Sequence, residues 1–334
     1  MQWKVLAGLR FFLAFIVFSY HLKDYVPDYG RDLFCQIGKL NGLAAVLGFL
    51  LVSGYSIAHS VSKEASGFYQ RRIFRIYPLY LCAVLFSVSP FLFLGETLHL
   101  PDKEIYRSAL GTVLGHFLFL QGFVIHPLSI NLPFWTLSVE VACYLLAPVL
   151  VKLDDFKIAG LIVTSALFYV GFPSIYQTFY PQSPLPFYSA FSYTIPFGLF
   201  LWAWLVGFLI YRKKHLFQRT LLVGFGAALL LLNNQFIGKV GILTYLFSGI
   251  ILMGSPYIPL PKFLGNLLNY LGNLSYPLYL FHVPTLVIAY LALGIRNSFS
   301  FILISFAVSM LFYHGVDVPF RFAKKKNSTA QNPA

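Results

Sequence analysis

Apolar side chains occur in long runs along this chain, broken by short polar stretches. Runs able to cross roughly 30 Å of hydrocarbon stand at 5–22, 41–60, 77–95, 135–152, 157–172, 191–211, 218–234, 240–254, 270–293 and 298–316. Backbone in lipid must satisfy its own polar groups, so each run reads as a helix. An eleventh run, 108–123, is shorter and holds His116 and Gln121. The pattern predicts an all-α integral membrane protein of about ten transmembrane helices plus one re-entrant or interfacial segment. It predicts a single domain over 1–320 and a short basic, polar tail over 321–334. The first run reads as a span and not as a cleavable leader, because no small-residue cleavage site follows it. No internal repeat and no pair of broken helices marks a secondary transporter. The longest non-apolar connections are 23–40 and the Pro-rich 173–190.

Composition sharpens this picture. Apolar residues make up 58% of the chain and charged residues 10%, with a mean hydropathy of +0.73, too few charges to cover globular surfaces. Disordered, coiled-coil, collagen-like and disulfide-scaffold classes are excluded. Cys35, Cys82 and Cys143 are widely spaced, with no CxxC and no metal-ligand spacing. A net charge of +13 would suggest nucleic acid in a soluble protein, but here the basic residues gather in short loops between apolar runs. If 108–123 does not cross and the N-terminus is cytoplasmic, 17 Lys and Arg fall inside and 7 outside. If it does cross, the split becomes 8 to 16, which the positive-inside bias disfavours. The expectation is a multi-pass protein of the cell inner or plasma membrane, both termini cytoplasmic, with 108–123 lidding or lining a cavity on the outer side.

Ionisable groups inside apolar spans are costly and usually face a bundle interior or a cavity. Arg10 and His21 lie eleven residues apart in the first span, almost three turns, so they share a face about 16 Å apart along the axis. Either alone also reads as a snorkelling Arg or an interfacial His. Glu140 is the only acid well inside an apolar run, at a depth similar to His21, and shares a face with Thr136 and Tyr144. A carboxylate beside an imidazole is half of an acid–base pair, although Glu140 could instead pair with a buried Arg or Tyr. Ser275, Tyr279 and His282 form a polar stripe on one face, readable also as a packing seam. In the loop 61–76, Arg72 and Arg75 stand at i, i+3 before Pro78. They are either a positive stop signal or a phosphate grip. His59, His116, His126, His215 and His314 read as structural.

These elements, in this order, resemble the acyltransferase family 3 of integral membrane acyltransferases. Arg10 and His21 match its Arg-x10-His motif, and Gly48–Tyr55 its Phe-Phe-x-Leu-Ser-Gly-Phe segment. Arg72–Pro78 is similar to its Arg-x-x-Arg motif, and Trp135-Thr-Leu-Ser138-Val-Glu140 to its Trp-Ser-Leu-Ser-x-Glu. Gly272–His282 is similar to a late Gly-x-x-Ser-Tyr-x-x-Tyr-Leu-x-His pattern. Thr136, Val141, Cys143 and Asp317 depart from the family's usual residues. The resemblance implies transfer of an acyl group, most often acetyl, from cytoplasmic acyl-CoA to a hydroxyl of a glycan, lipid-linked sugar or other acceptor, in contact with membrane lipid. No permanently bound cofactor and no metal is implied. Arg72 and Arg75 would grip the CoA phosphates, the pantetheine arm would enter past Arg10, and His21, oriented by Glu140, would be the general base. Trp135, Ser138, Ser275, Tyr279 and His282 would support the site, with Tyr279, Ser275 or Arg10 as oxyanion donors. A channel or exporter without acyl transfer, or a membrane scaffold, would use the same polar stripes differently.

Overall fold

The computed structural model describes residues 3–321, apart from Asp28, Asp102 and the side chain of Ser189. The expected basic tail beyond Arg321 lies outside the described residues. Helix α1 (Trp3–His21) leads to a short α2 (Leu33–Gly38), then to α3 (Gly42–Lys63) and α4 (Phe68–Val88). The small α5 (Pro90–Phe93) precedes a hairpin of β1 (Thr97–Leu100) and β2 (Lys103–Tyr106), and α6 (Leu110–His116) follows. The rest is helical: α7 (Trp135–Leu150), α8 (Asp155–Phe179), α9 (Ile195–Arg212), α10 (Leu216–Leu232), α11 (Gly238–Gly254), α12 (Lys262–Leu291) and α13 (Ser298–Phe312). Among the described residues nine helices are long and apolar enough to cross a membrane, and α10 is a slightly shorter apolar helix. The protein is an all-α multi-span membrane protein, and its ten long helices fall on the ten predicted runs.

Polar caps mark where several of these runs begin. The side chains of Asp32, Asn41, Asp154 and Asn297 each accept from a backbone N–H of the first turn that follows. Such a cap typically contributes about 1 kcal/mol. Two starts differ from the sequence expectation. Helix α4 begins at Phe68, so Arg72 and Arg75 ride on its first turns and not in a loop, and Pro78 sits inside the helix. Helix α12 begins at Lys262 and runs 30 residues, about 45 Å, longer than the hydrocarbon is thick. Helix α8 likewise continues through Pro173 to Phe179, into what reads as a connection.

Segment 108–123 does not cross. Its helix has 7 residues, about 10 Å, and the chain then turns back on itself. Gln121 donates to the Tyr80 hydroxyl at 2.8 Å and to the Phe134 carbonyl at 3.1 Å, and Phe119 stacks on Tyr80 at 4.2 Å. The His116 ring meets the Thr112 carbonyl at 2.7 Å and accepts from Leu128 N–H at 3.1 Å. These bonds tie the plug to α4 and to the start of α7, where protein and not lipid surrounds its non-spanning backbone. Helix parity agrees. Gly265, His282 and Tyr290 of α12 meet Lys4, Phe18 and Tyr25 in ascending order, so α12 runs parallel to α1. Seven long helices lie between them, an odd number of crossings, and an eighth would make the pair antiparallel.

Two glycines let α3 and α9 touch backbone to backbone. A Cβ on Gly54 would lie 1.9 Å from the Trp204 carbonyl oxygen, and one on Gly207 would lie 2.0 Å from that of Leu51. Small residues at such crossings are the usual device for close approach in membranes. The contact holds α3 fixed from behind while its other face lines a cavity.

Candidate active site

A cavity of about 530 Å³ opens between α1, α3, α4, α7 and α12. Helix α3 supplies one wall. Phe49, Ser53, Ser56, Ser60 and Lys63 recur at the spacing of one helical face, and the last stands 14 residues beyond the first, about 21 Å of depth. The mouth carries exposed Trp3, Lys63 and Glu64, and the deep end carries Val46, Phe49, Thr136 and Tyr279. Arg10, Arg72, Arg75, Glu140, Ser275 and Tyr279, predicted from four separate segments, all line this one space. Thr136, Glu140 and Tyr144 do share a face there.

The cations in the cavity are under-satisfied. Among the described residues, Arg10 makes no hydrogen bond or ion pair, and its buried Nε has no partner. Arg72 donates from Nη2 to Ser60 Oγ at 2.6 Å and lies over the Phe68 and Tyr144 rings, but its Nε is also buried without an acceptor. Arg71 is occupied, pairing with Glu64 at 3.3 Å and donating to the Ser66 carbonyl at 2.5 Å. Glu140 is held from both sides. It accepts from Ser53 Oγ at 3.1 Å and from the Tyr144 hydroxyl, while Trp204 Nε1 donates to Ser53 Oγ at 3.3 Å.

His21 lies elsewhere. It is half-buried beyond the deep end of the cavity, with its ring 5.2 Å from that of His282. Among the described residues no hydrogen bond or ion pair joins it to Glu140, so the expected His21–Glu140 contact is not made. Residue counting put the two groups at a similar depth, but Glu140 stands level with Ser53 on the cavity wall, one turn of α7 to the mouth side of Thr136, whereas His21 lies past the floor. His282 Nδ1 lies 2.8 Å from the Tyr279 carbonyl, which can only accept. Nδ1 therefore carries the proton, and Nε2 keeps a lone pair with no partner among the described residues. The Tyr279 ring stands 5.9 Å from Phe49 on one side and 5.9 Å from His282 on the other, and its hydroxyl is 2.7 Å from Thr136 Oγ. Tyr279 thus links the cavity floor to the histidine pair.

Three other predicted residues have local roles. Trp135 packs on Phe200 at 5.2 Å, Ser138 Oγ donates to the Trp135 carbonyl at 2.7 Å, and neither lines the cavity. Ser275 lines it, but its hydroxyl donates to the Gly272 carbonyl at 2.7 Å. Sequence reasoning missed Ser53 and Ser60, although their place on one α3 face was available, and left His59 as structural although it lines the mouth.

A family model described as an acyltransferase domain, that of acyltransferase family 3, matches residues 4–314. The chain belongs to this family. It is similar to a presumed acetyltransferase of Acidianus two-tailed virus, ORF330, at 25% identity over 83% of this chain and 82% of that protein. It is also similar to the acyltransferase MdmB of Streptomyces mycarofaciens, at 31% identity over 44% of this chain and 39% of that protein. No solved structure matches. The protein is a membrane acyltransferase.

Proposed function

We propose that this acyltransferase moves an acyl group, acetyl foremost, from cytoplasmic acyl-CoA to a hydroxyl of a glycan or glycolipid acceptor at the cell inner or plasma membrane. Arg10 carries the proposal. Among the described residues it is a cation inside the bundle with no acceptor, in a cavity that also holds Lys63, Arg71, Arg72, Arg75 and Arg321 against Glu64 and Glu140. An unpaired buried charge is expensive, so the site calls for an anionic ligand, and guanidinium forks suit phosphate oxygens. The mouth then faces the cytoplasm, as do both termini, in agreement with the basic-residue split.

In this reading the donor lies along the α3 face with its phosphates at Arg10, Arg72 and Arg75 and its thioester near Phe49 and Tyr279. His21 takes the proton of the acceptor hydroxyl as that oxygen attacks the thioester carbonyl. The C–S bond breaks, and CoA leaves as a thiolate that takes up a proton. His282, whose ring packs against that of His21 at 5.2 Å, orients the imidazole, the part first expected of Glu140. Glu140 instead sets the field around Arg10 and Arg72, and the Tyr279 hydroxyl is the oxyanion donor.

Calorimetry of acetyl-CoA with the purified enzyme tests the donor site. Arg10→Gln, and Arg72→Gln with Arg75→Gln, should each lose about 1.5–3 kcal/mol per contact, while Arg→Lys restores part of it. An Arg10→Gln protein binding acetyl-CoA as tightly as wild type would overturn the reading.

A further inference from the structure

The mouth of the cavity has a feature that phosphate binding leaves unexplained. Trp3, His59, Tyr211 and Tyr55 form a row of rings, with centroid distances of 4.9, 5.6 and 5.5 Å between neighbours. The inner contacts, at 81° and 90°, fix the plane of His59 against Tyr211 and that of Tyr211 against Tyr55. Trp3 ends the row and stays 41% exposed at the cavity rim. Lys63 follows His59 by one helical turn, lines the same rim, and makes no hydrogen bond or ion pair among the described residues. Its acidic neighbour Glu64 is already engaged by Arg71. The Arg72 guanidinium reaches Ser60, the residue next to His59.

We infer that this mouth is a nucleotide subsite, in which Trp3 and His59 stack on the adenine ring of CoA and Lys63 pairs with its 3′-phosphate. The inference rests on the acyl-CoA reading above and adds to it the recognition of the adenosine end. Flat π-faces beside a free ammonium, one residue from a phosphate-gripping guanidinium, suit a purine nucleotide that carries an extra phosphate. A mouth that held only the diphosphate and the pantetheine arm would have no use for the rings.

Truncated donors separate the parts. CoA, dephospho-CoA (no 3′-phosphate) and 4′-phosphopantetheine (no adenosine) are titrated against the detergent-purified full chain by calorimetry and by tryptophan fluorescence. Trp135, Trp202 and Trp204 are buried, so Trp3 carries the ligand-sensitive emission. CoA should change the emission of wild type but not of Trp3→Phe. Trp3→Ala with His59→Ala should weaken CoA about ten-fold or more yet leave 4′-phosphopantetheine unchanged, which also shows that the variant is folded. Lys63→Gln should erase the preference for CoA over dephospho-CoA. If wild type binds CoA and the ring variants keep the full preference for CoA over 4′-phosphopantetheine, the rings are a membrane-interface anchor and the subsite is refuted while the donor reading stands. If wild type binds none of the three, the donor reading fails and the subsite with it.

Discussion

Double-substitution kinetics at His21 distinguish the two partners that have been assigned to it. Removing a general base typically lowers turnover about 10²–10⁴-fold, so His21→Ala should be nearly inactive while still binding acetyl-CoA. His282 touches His21, at 5.2 Å between rings. Contacting residues usually couple by about 0.5–3 kcal/mol, so His21→Ala with His282→Gln should be hardly worse than His21→Ala alone. Glu140 is farther off. The path runs one turn of α7 to Thr136, then 2.7 Å to the Tyr279 hydroxyl, 5.9 Å to His282 and 5.2 Å to His21. Groups separated by more than about 7–10 Å without shared partners add within about 0.3–0.5 kcal/mol. The Glu140→Gln loss should therefore multiply with that of His21→Ala to within about two-fold. Single-turnover transfer of radiolabelled acetyl groups from acetyl-CoA, at saturating donor, reads losses this large. A His21→Ala, Glu140→Gln enzyme no worse than His21→Ala would refute the separation and restore a direct His21–Glu140 unit.

Two further outcomes concern the scaffold. Gly54→Ala or Gly207→Ala forces α3 and α9 apart and should cost at least about 1–3 kcal/mol of stability, read as a lower thermal midpoint in detergent, whereas Gly224→Ala, with open space around it, should not. A midpoint for Gly54→Ala equal to wild type would deny the backbone contact. In a background lacking Cys35, Cys82 and Cys143, cysteines at the exposed positions Tyr106 and Ser129 should both react with an impermeant reagent added from outside. Labelling at Tyr106 alone would mean that 108–123 crosses.

How far the chain could be read without its structure follows from what each signal measures. Apolar run length measures the ability to cross lipid, and all ten long helices were visible in it. It is blind to helix that projects beyond the lipid. The start of α4 was therefore lost in the polar QRRIFR stretch, and the first eight residues of α12 went the same way. The hairpin of Thr97–Leu100 with Lys103–Tyr106 was missed because its strands have 4 residues each, too few for alternation to register. Within one helix, spacing assigns faces well, and Thr136, Glu140 and Tyr144 do point together. Between helices it assigns nothing. The pairing of His21 with His282 and not Glu140 depends on how α1, α7 and α12 are shifted along and rotated about their axes, and no count along a single helix contains that register.

The two halves of the site have opposite characters, and this bears on how the reaction is organised. The cavity is cationic and is lined at its mouth by Trp3, Lys63 and Arg321, whereas the histidine pair lies past its floor, toward the end of α1 that meets the hairpin. Between them stands the Phe49–Tyr279 edge contact at 5.9 Å, packed directly against His282. On the acyl-CoA reading, a donor held by its phosphates at the mouth brings its slender acyl end to this layer. An acceptor approaching His21 from the other end meets the same layer from above. Tyr279 is in contact with both compartments, so on the acyl-CoA reading it has to admit the thioester carbonyl to the histidines without opening a continuous aqueous path. Its hydroxyl can accept from Thr136 Oγ at 2.7 Å, which holds the ring in place as a partition and frees the phenolic proton, otherwise 3.2 Å from the Pro133 carbonyl, for an oxyanion. Tyr279→Phe keeps the partition and removes the hydroxyl, whereas Tyr279→Ala removes both. If the residue serves as oxyanion donor and as barrier, Tyr279→Phe should lose transfer alone, by about 10²–10³-fold, while Tyr279→Ala should also hydrolyse acetyl-CoA without acceptor as water reaches the thioester. Acceptor-independent release of CoA, compared between the two variants, reads the difference. Equal hydrolysis by both would leave Tyr279 no role as a partition.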